Sequence, residues 1–272
     1  MKYIVVGAAG YIAERHVKAI HAIGGEVVSI CDIHSSVGYI DKYFPQCKFY
    51  SDVTDCFRNS VADYVVICTP NHYHLYHCLH AIEHGFKVIC EKPLVLGVAN
   101  LNALRLHEDK INTILQLRYH PDIFALKYSL PAFAQVNVKY HAPRGDWYDR
   151  SWKGNQTASG GILFNIGIHL FDLLCWLWGE PNEIEYDQLD VRNTNGRFVY
   201  PNAEVNWELS TDIKNEGVRD FEVNGNKLCL SSYFEELHTI SHEEIANDRG
   251  FGISDVEPSI QLIERLLDVK NR

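Results

Sequence analysis

Short apolar runs alternate with amphipathic stretches along the first part of the chain. Apolar residues recur at helical spacing in the amphipathic stretches, whereas the short runs are almost wholly apolar. Strands and helices in alternation indicate a parallel sheet covered by helices on both faces. We therefore predict an α/β domain over residues 1–117. Its predicted strands are 3–6, 27–31, 64–68, 87–90 and 113–117, and its predicted helices are 12–23, 73–83 and 95–109.

The pattern changes after Arg118 to an alternation of apolar and polar residues. This alternation, clearest in 203–209, has the period of a strand with two different faces. Asn224-Gly225 is typical of a two-residue hairpin turn. We predict that residues 118–272 form an α+β domain with a predominantly antiparallel open sheet. Its predicted strands are 133–140, 183–189, 203–209, 221–223 and 228–230, and its predicted helices are 161–178 and 256–269.

Composition narrows the class of protein. The formal net charge of -10 argues against a nucleic-acid partner, which requires clustered positive charge. Apolar runs stay shorter than the ~18 residues of a membrane span, and a predicted strand already begins at residue 3, which leaves no room for a signal peptide. The eight cysteines are scattered, as is usual for reduced thiols. We therefore expect a cytoplasmic enzyme that binds neither membrane nor nucleic acid.

A glycine-containing turn follows the first strand. Gly7, Ala9 and Gly10 lie between that strand and a helix, where glycines allow a backbone to approach a pyrophosphate. The spacing is irregular, so the turn alone is also compatible with an ordinary tight turn. Asp32, at the end of the second strand, is placed to accept hydrogen bonds from an adenosine ribose and to repel a 2'-phosphate. Together they predict a Rossmann dinucleotide-binding domain that prefers NAD to NADP.

Two further loops leave the carboxyl ends of predicted parallel strands, where ligands bind in such sheets. Thr69-Pro70-Asn71 follows the strand 64–68, and Lys92 follows the strand 87–90. Lys92 is therefore a candidate to stabilise a reacting alcohol oxygen. Asn71 also fits a simple helix cap. For His74, His77, His80 and His84 in the next helix, we favour a solvated face over a metal site.

The apolar helix 161–178 carries three polar residues that we expect on one stripe. Asn165, His169 and Asp172 are spaced i, i+4 and i+7. A lone buried histidine is usually a core residue, but three stacked polar groups favour a lined cavity. His169 is the group in this stripe that accepts a proton near neutral pH.

A loop rich in aromatic and basic residues precedes this helix. Residues 144–148 and 151–154 suit either a packed surface loop or a clamp for an anionic sugar substrate, and we favour the clamp. Arg118 and His120 are candidates to join it.

These segments together resemble the Gfo/Idh/MocA superfamily of NAD(P)-dependent oxidoreductases. Glu91-Lys92-Pro93 is similar to its Glu-Lys-Pro motif, and 165–169 is similar to its catalytic segment, although an acid often stands at the position of Asn165. The resemblance extends in detail to bacterial UDP-N-acetyl-glucosaminuronate 3-dehydrogenases. The segments that carry this closer resemblance are 7–13, 114–118, 151–154, 237–239 and 249–253.

The resemblance implies NAD-dependent oxidation of the carbon-3 hydroxyl of UDP-N-acetyl-glucosaminuronic acid, for the diamino-uronic sugars of bacterial lipopolysaccharide O-antigen. It implies Lys92 and His169 as catalytic residues. The implied partners are the UDP-sugar and, as a recycling acceptor, 2-oxoglutarate, and we expect a homodimer or homotetramer. The implied cofactor contacts are Gly7, Ala9, Gly10, Tyr11, Ile12, Asp32, Thr69, Pro70, Asn71, His74, Glu91 and Lys92. The implied substrate contacts are Lys92, Arg118, Tyr148, Ser151, Trp152, Lys153, Asn165 and His169.

Two alternatives stay open from the sequence. One is a dehydrogenase for UDP-N-acetylglucosamine or another sugar. The other is a non-catalytic NAD-binding regulatory protein, which the presence of both Lys92 and His169 disfavours.

Overall fold

The computed structural model describes residues 1–230 and 236–270 and divides them into two compact units. The first unit comprises residues 1–95, 99–116 and 236–255, and the second comprises 96–98, 117–230 and 256–270. The first unit differs from the predicted first domain in one main respect. A segment near the end of the chain returns to it, because a late helix packs on its first helix.

The first unit is built on a six-stranded parallel sheet with the order β3-β2-β1-β4-β5-β6. Its central strands are buried on both faces, which explains their continuous apolar sequences. The parallel α/β fold is therefore confirmed. The strands are β1 Lys2–Val6, β2 Glu26–Cys31, β3 Lys48–Tyr50, β4 Tyr64–Ile67, β5 Lys87–Cys90 and β6 Ile111–Thr113. The helices that contribute to this unit are α1 Ala13–Ala22, α2 Val53–Arg58, α3 His74–Glu83, α4 Val98–Leu104 and α9 Glu236–Ala246.

The second unit contains a six-stranded sheet with the order β12-β11-β7-β10-β9-β8. Only the β7–β10 pair in this sheet is parallel, and its other paired strands are antiparallel, which confirms a mostly antiparallel sheet. The strands are β7 Ala134–His141, β8 Glu183–Leu189, β9 Asn193–Tyr200, β10 Ala203–Ser210, β11 Val218–Val223 and β12 Asn226–Cys229. The helices are α5 Pro121–Lys127, α6 Trp147–Arg150, α7 Gln156–Ser159, α8 Ile168–Trp178 and α10 Ile253–Lys270, the first turn of which lies in the first unit.

An apolar helical run forms the centre of the second unit. The run Gln156–Trp178 has 23 residues and a mean hydropathy of 1.6, so by length and composition it could cross a membrane. However, 78% of its most apolar window is buried inside the protein. Phe171 of α8 makes edge-on ring contacts with Phe198 and Trp207 on the sheet. A helix that is apolar all round is expected in such a core position.

Several elements differ from the sequence predictions. The strands β3 and β9 were missed, the latter because its asparagines and glycine are poor strand formers. The predicted helix 95–109 is shorter, because α4 gives way to a 3₁₀ segment at Arg105–Lys110. The predicted helix 161–178 begins with a π-helical turn, Leu163–Gly167, before α8.

Candidate active site

The turn after β1 packs directly against the backbone at the end of β4. Gly7 has φ +83°, and its amide donates to the Cys31 carbonyl at 2.8 Å. A Cβ on Gly7 would lie 2.7 to 2.8 Å from backbone atoms of Cys68 and Thr69. Gly10 closes the turn by donating to the Gly7 carbonyl at 3.0 Å. Both the conformation and the close backbone approach therefore require glycine at position 7.

Asp32 lies beside this turn. Its carboxylate accepts hydrogen bonds from the amides of Ala9 at 2.9 Å and His34 at 2.8 Å. The fold thus brings the predicted pyrophosphate turn and the predicted ribose acceptor together. Of the neighbouring predicted contacts, Tyr11 is 78% exposed and Ile12 is half-buried. These residues fit a dinucleotide, because the turn has no side chain at Gly7 or Gly10 to obstruct it.

His74 connects the loop after β4 to the loop after β5. Its Nδ1 lies 2.7 Å from the Pro93 carbonyl oxygen, and its Nε2 lies 2.8 Å from the Thr69 carbonyl oxygen. The ring is 1% exposed and Asn71 is 5% exposed, whereas Thr69 and Pro70 are half-buried. His74 was expected to contact the cofactor, but its ring is used inside the protein to hold the two loops at a fixed separation.

Lys92 is the second residue after β5 and is half-buried. The preceding Glu91 is 5% exposed, and its carboxylate turns inward. One oxygen accepts from the Lys92 amide at 3.2 Å, and the other lies 2.9 Å from Nε2 of His16. The Glu91 side chain therefore anchors the Lys92 loop from inside the unit, and contact between Glu91 and the cofactor stays a prediction.

The histidines of α3 do not form the predicted solvated face. His77, His80 and His84 are half-buried, and the rings of His80 and His84 pack on Phe57. Burial lowers the pKa of His77 to about 4, and its Nδ1 lies 3.0 Å from the Thr69 hydroxyl. The prediction of a solvated face was wrong because aromatic side chains that are distant in the sequence cover this helix.

In the second unit, Asn165 and His169 lie at the beginning of the core helix. Asn165 donates from Nδ2 to the Tyr148 hydroxyl at 3.0 Å, so the predicted clamp loop meets the predicted catalytic segment. His169 is half-buried, with its ring centroid 6.3 Å from that of Tyr140. The Arg219 guanidinium, which had not been predicted, lies 5.1 Å from the centroid of the same tyrosine ring.

Asp172 does not share this arrangement. Its carboxylate accepts two hydrogen bonds from the Arg118 guanidinium, at 3.0 Å and 2.7 Å. The Asp172 side chain is 4% exposed and the Arg118 side chain is 3% exposed. The predicted polar stripe is therefore divided, with Asp172 in a buried ion pair. Arg118 was expected to contact substrate, but its charge is matched inside the unit.

The clamp loop is partly internal. Tyr148 is 2% exposed, burial raises the pKa of its hydroxyl, and its carbonyl accepts from the Ser151 hydroxyl at 2.8 Å. Trp152 and Lys153 are half-buried, with the ammonium 5.7 Å from the indole centroid. Arg192 lies 5.5 Å over the Tyr148 ring. Sequence reasoning missed Arg192 because it belongs to the β8–β9 turn, which carries no recognisable motif.

Comparisons with known proteins agree with this geometry. Residues 1–119 match the model of the Gfo/Idh/MocA oxidoreductase family, NAD-binding Rossmann fold, and residues 132–226 match the Gfo/Idh/MocA C-terminal domain. The chain belongs to the Gfo/Idh/MocA oxidoreductase family. The first unit is accordingly an NAD-binding Rossmann domain.

Solved structures of other family members extend the comparison. The WlbA (WbpB) dehydrogenase from Thermus thermophilus, in complex with NAD and UDP-GlcNAcA, is 32% identical with a TM-score of 0.91. That match covers 98% of this chain and 94% of the other. The same Thermus thermophilus dehydrogenase, in complex with NAD and alpha-ketoglutarate, is 33% identical with a TM-score of 0.90, covering 97% and 93% of the two chains.

Curated relatives within the family are more distant. A 2,7-anhydro-N-acetylneuraminate hydratase from Mediterraneibacter gnavus is 25% identical over 201 residues, which are 67% of this chain and 50% of that protein. The chain spans about half the length of the first curated relatives it matches.

Proposed function

We propose that this protein is an NAD-dependent dehydrogenase that oxidises the carbon-3 hydroxyl of UDP-N-acetyl-glucosaminuronic acid to a 3-keto sugar. The observation that carries the proposal is the match, 32% identical over 98% of this chain, to a dehydrogenase whose structure holds NAD and UDP-GlcNAcA. The 3-keto product would serve the synthesis of diamino-uronic sugars for surface polysaccharide.

The first unit would hold the cofactor through the turn at Gly7–Gly10 and through Asp32. The turn leaves room for a pyrophosphate, and the Asp32 carboxylate is placed to exchange its backbone donors for ribose hydroxyls. Bound NAD supplies hydride acceptance, the chemistry that the protein's own side chains lack.

His169 acts in this proposal as the general base that removes the proton from the carbon-3 hydroxyl. A neutral imidazole is suited to this step near neutral pH. Lys92 donates a hydrogen bond from its ammonium to the same oxygen and stabilises the negative charge that develops there. The hydroxyl proton is thus transferred to His169 as carbon 3 loses its hydrogen with both bonding electrons.

Substrate contacts are proposed for the exposed part of the clamp and for the residues around Asn165. Ser151, Trp152 and Lys153 are half-buried, and we propose that their side chains contact the sugar nucleotide. Tyr148 orients Asn165 through the hydrogen bond between them. Because the charge of Arg118 is matched by Asp172, we assign the positive charge at this site to Lys92 and Lys153 instead.

Recycling of the cofactor by 2-oxoglutarate is part of the proposal. It is supported by the related structure that contains NAD with alpha-ketoglutarate. A homodimer or homotetramer stays a prediction.

The test is incubation of the purified protein with UDP-N-acetyl-glucosaminuronate and NAD, with and without 2-oxoglutarate, followed by mass spectrometry. We expect a product lighter by two hydrogens, and Lys92→Ala and His169→Ala should both abolish it while NAD still binds. Lys87→Ala is the matched control, since it removes an exposed lysine from β5, the strand that precedes Lys92. Turnover of UDP-N-acetylglucosamine alone would favour the alternative substrate, and binding without any product would favour a regulatory protein.

A further inference from the structure

Four buried ionisable side chains lie together next to the loop after β5 that carries Lys92. Glu91 is 5% exposed, and His16, His238 and His242 are fully buried. The rings of His238 and His242 meet the His16 ring edge to face, with centroids 5.3 Å and 5.1 Å away. All four belong to the first unit: His16 lies on α1, Glu91 directly follows β5, and His238 and His242 lie on α9. The proposed chemistry uses none of their side chains, so their burial requires another explanation.

Hydrogen-bond distances arrange these residues in a chain. His242 Nε2 lies 2.8 Å from His16 Nδ1, and His16 Nε2 lies 2.9 Å from Glu91 Oε1. The Lys92 amide then donates to Glu91 Oε2 at 3.2 Å. The Lys92 backbone is therefore connected to α1 and α9 through one carboxylate.

The protonation states of these residues determine which atom donates and which accepts in each hydrogen bond. Burial raises the pKa of Glu91, but hydrogen bonds from His16 and His238 outweigh this effect and hold the pKa well below its usual range. Burial lowers the pKa of both His16 and His242. At neutral pH Glu91 is thus ionised and His16 is neutral. His16 then donates from Nε2 to Glu91, and its Nδ1 accepts the Nε2 proton of His242.

A metal ion is the other arrangement to consider, because His16, Glu91 and His238 have ligand atoms within 4.8 Å of one another. Zinc with bonds of about 2.0 to 2.1 Å would hold tetrahedral ligand atoms about 3.3 Å apart. The His16–Glu91 separation of 2.9 Å is instead that of a direct charge-assisted hydrogen bond. Both Glu91 oxygens are also already engaged.

We infer that Glu91, His16 and His242 form a positioning network that holds the Lys92 backbone in place through the Glu91 carboxylate. Glu91 and the histidines act through Lys92 and do not touch the substrate. The inference rests on the proposed function for its kinetic consequence, but its structural consequence can be measured without any substrate.

The test compares His242→Leu with His242→Gln, which retains a donor near the position of Nε2. The first readout is hydrogen–deuterium exchange at the Lys92 amide. We expect exchange about tenfold faster in His242→Leu, as loss of one buried hydrogen bond allows, and near the wild-type rate in His242→Gln. Ile245→Ala is the control, because it loosens the same helix without a polar contact to Glu91.

The second readout is turnover. His242→Leu should lower kcat about tenfold and enlarge the isotope effect of a carbon-3-deuterated substrate, with the KM for NAD changed less than about twofold. Partial unfolding alone would lower kcat without moving the isotope effect, as we expect for Ile245→Ala. If His242→Leu does not fold, Glu91→Gln takes its place, because a neutral amide accepts the Lys92 hydrogen bond about half as strongly.

Unchanged exchange at the Lys92 amide in folded His242→Leu, or in Glu91→Gln where it takes the place of His242→Leu, would overturn the network, whatever the substrate. Equal acceleration in Ile245→Ala would also overturn it. One metal ion per chain, whose chelation speeds this exchange in the wild type, would replace the network with a metal site. A wild type that does not turn over the UDP-sugar but shows the expected exchange pattern would overturn only the proposed function.

Discussion

Substitution of Gly7 by alanine should damage the cofactor site through the backbone itself. An alanine at φ +83° costs about 1–2 kcal/mol. Its Cβ would also lie 2.7 Å from the Cys68 carbonyl carbon, about 0.7 Å inside ordinary van der Waals contact. Forcing packed groups apart typically costs a further 1–3 kcal/mol. We therefore expect Gly7→Ala to lose about 2–5 kcal/mol of unfolding free energy, from these two contributions.

Gly85→Ala is the matched control. Gly85 has φ +90°, but a Cβ there would meet no atom within 4 Å, so it reports the conformational cost alone. Thermal unfolding, at about 2–4 °C per kcal/mol for a chain of this size, should separate the two variants. Titration with NAD should show at least tenfold (~1.4 kcal/mol) weaker binding for Gly7→Ala and unchanged binding for Gly85→Ala. Equal melting temperatures and equal NAD affinities would refute the close approach of the turn to β4.

Three further predictions concern charge and protonation. Asp32→Ala should weaken NAD binding by about 10- to 100-fold, since hydrogen bonds to a charged group contribute about 1.5–3 kcal/mol, and should reduce the discrimination against NADP. Titration with both cofactors measures this, and an unchanged ratio of affinities would remove Asp32 from its role. Asp172→Asn should lose about 3–5 kcal/mol in urea unfolding because Arg118 stays buried and charged. The double variant Arg118→Met/Asp172→Leu should be more stable than Asp172→Asn, and the opposite order would contradict this reasoning. Burial lowers the pKa of His77 to about 4, so between that pH and its ordinary pKa the His77 imidazole is protonated in the unfolded state but not in the folded state. The free energy of unfolding should therefore fall as pH decreases from ~6.5 to about 4. His77→Asn should show a weaker pH dependence of the free energy of unfolding over this range.

The parallel sheet and the glycine turn could be predicted because their signals are local in sequence. Continuous apolar runs identify strands buried on both faces, and a strand, a glycine turn and a helix in succession place Gly7. Asp32 could be placed similarly, because the end of a strand fixes the position of the next residue. The NAD-binding domain was therefore predictable from short segments read in order.

Features that depend on contacts between distant segments could not be predicted. The helical spacing of 161–178 placed Asp172 beside His169, but its partner Arg118 lies 54 residues away in sequence. The π-helical turn before α8 also has no sequence signature that sets it apart from an ordinary helix. The packing of α9 against α1 in the first unit was missed for the same reason. The contact between His16 and His242 of α9 was therefore missed as well.

A buried carboxylate lies close in sequence to each of the two proposed catalytic residues. Glu91 directly precedes Lys92, and Asp172 follows His169 by one helical turn. Each carboxylate is almost completely buried and is paired with a side chain from a distant segment of its own unit. A buried carboxylate gains little net stability from its hydrogen-bond partner, because the cost of desolvation offsets the attraction, but a misplaced partner leaves the carboxylate charge uncompensated. Such pairs penalise small displacements more than apolar packing does. We infer that these carboxylates limit the movement of the backbone beside Lys92 and beside His169, each within its own unit, because a stabilising cation and a general base both act only when they are accurately placed.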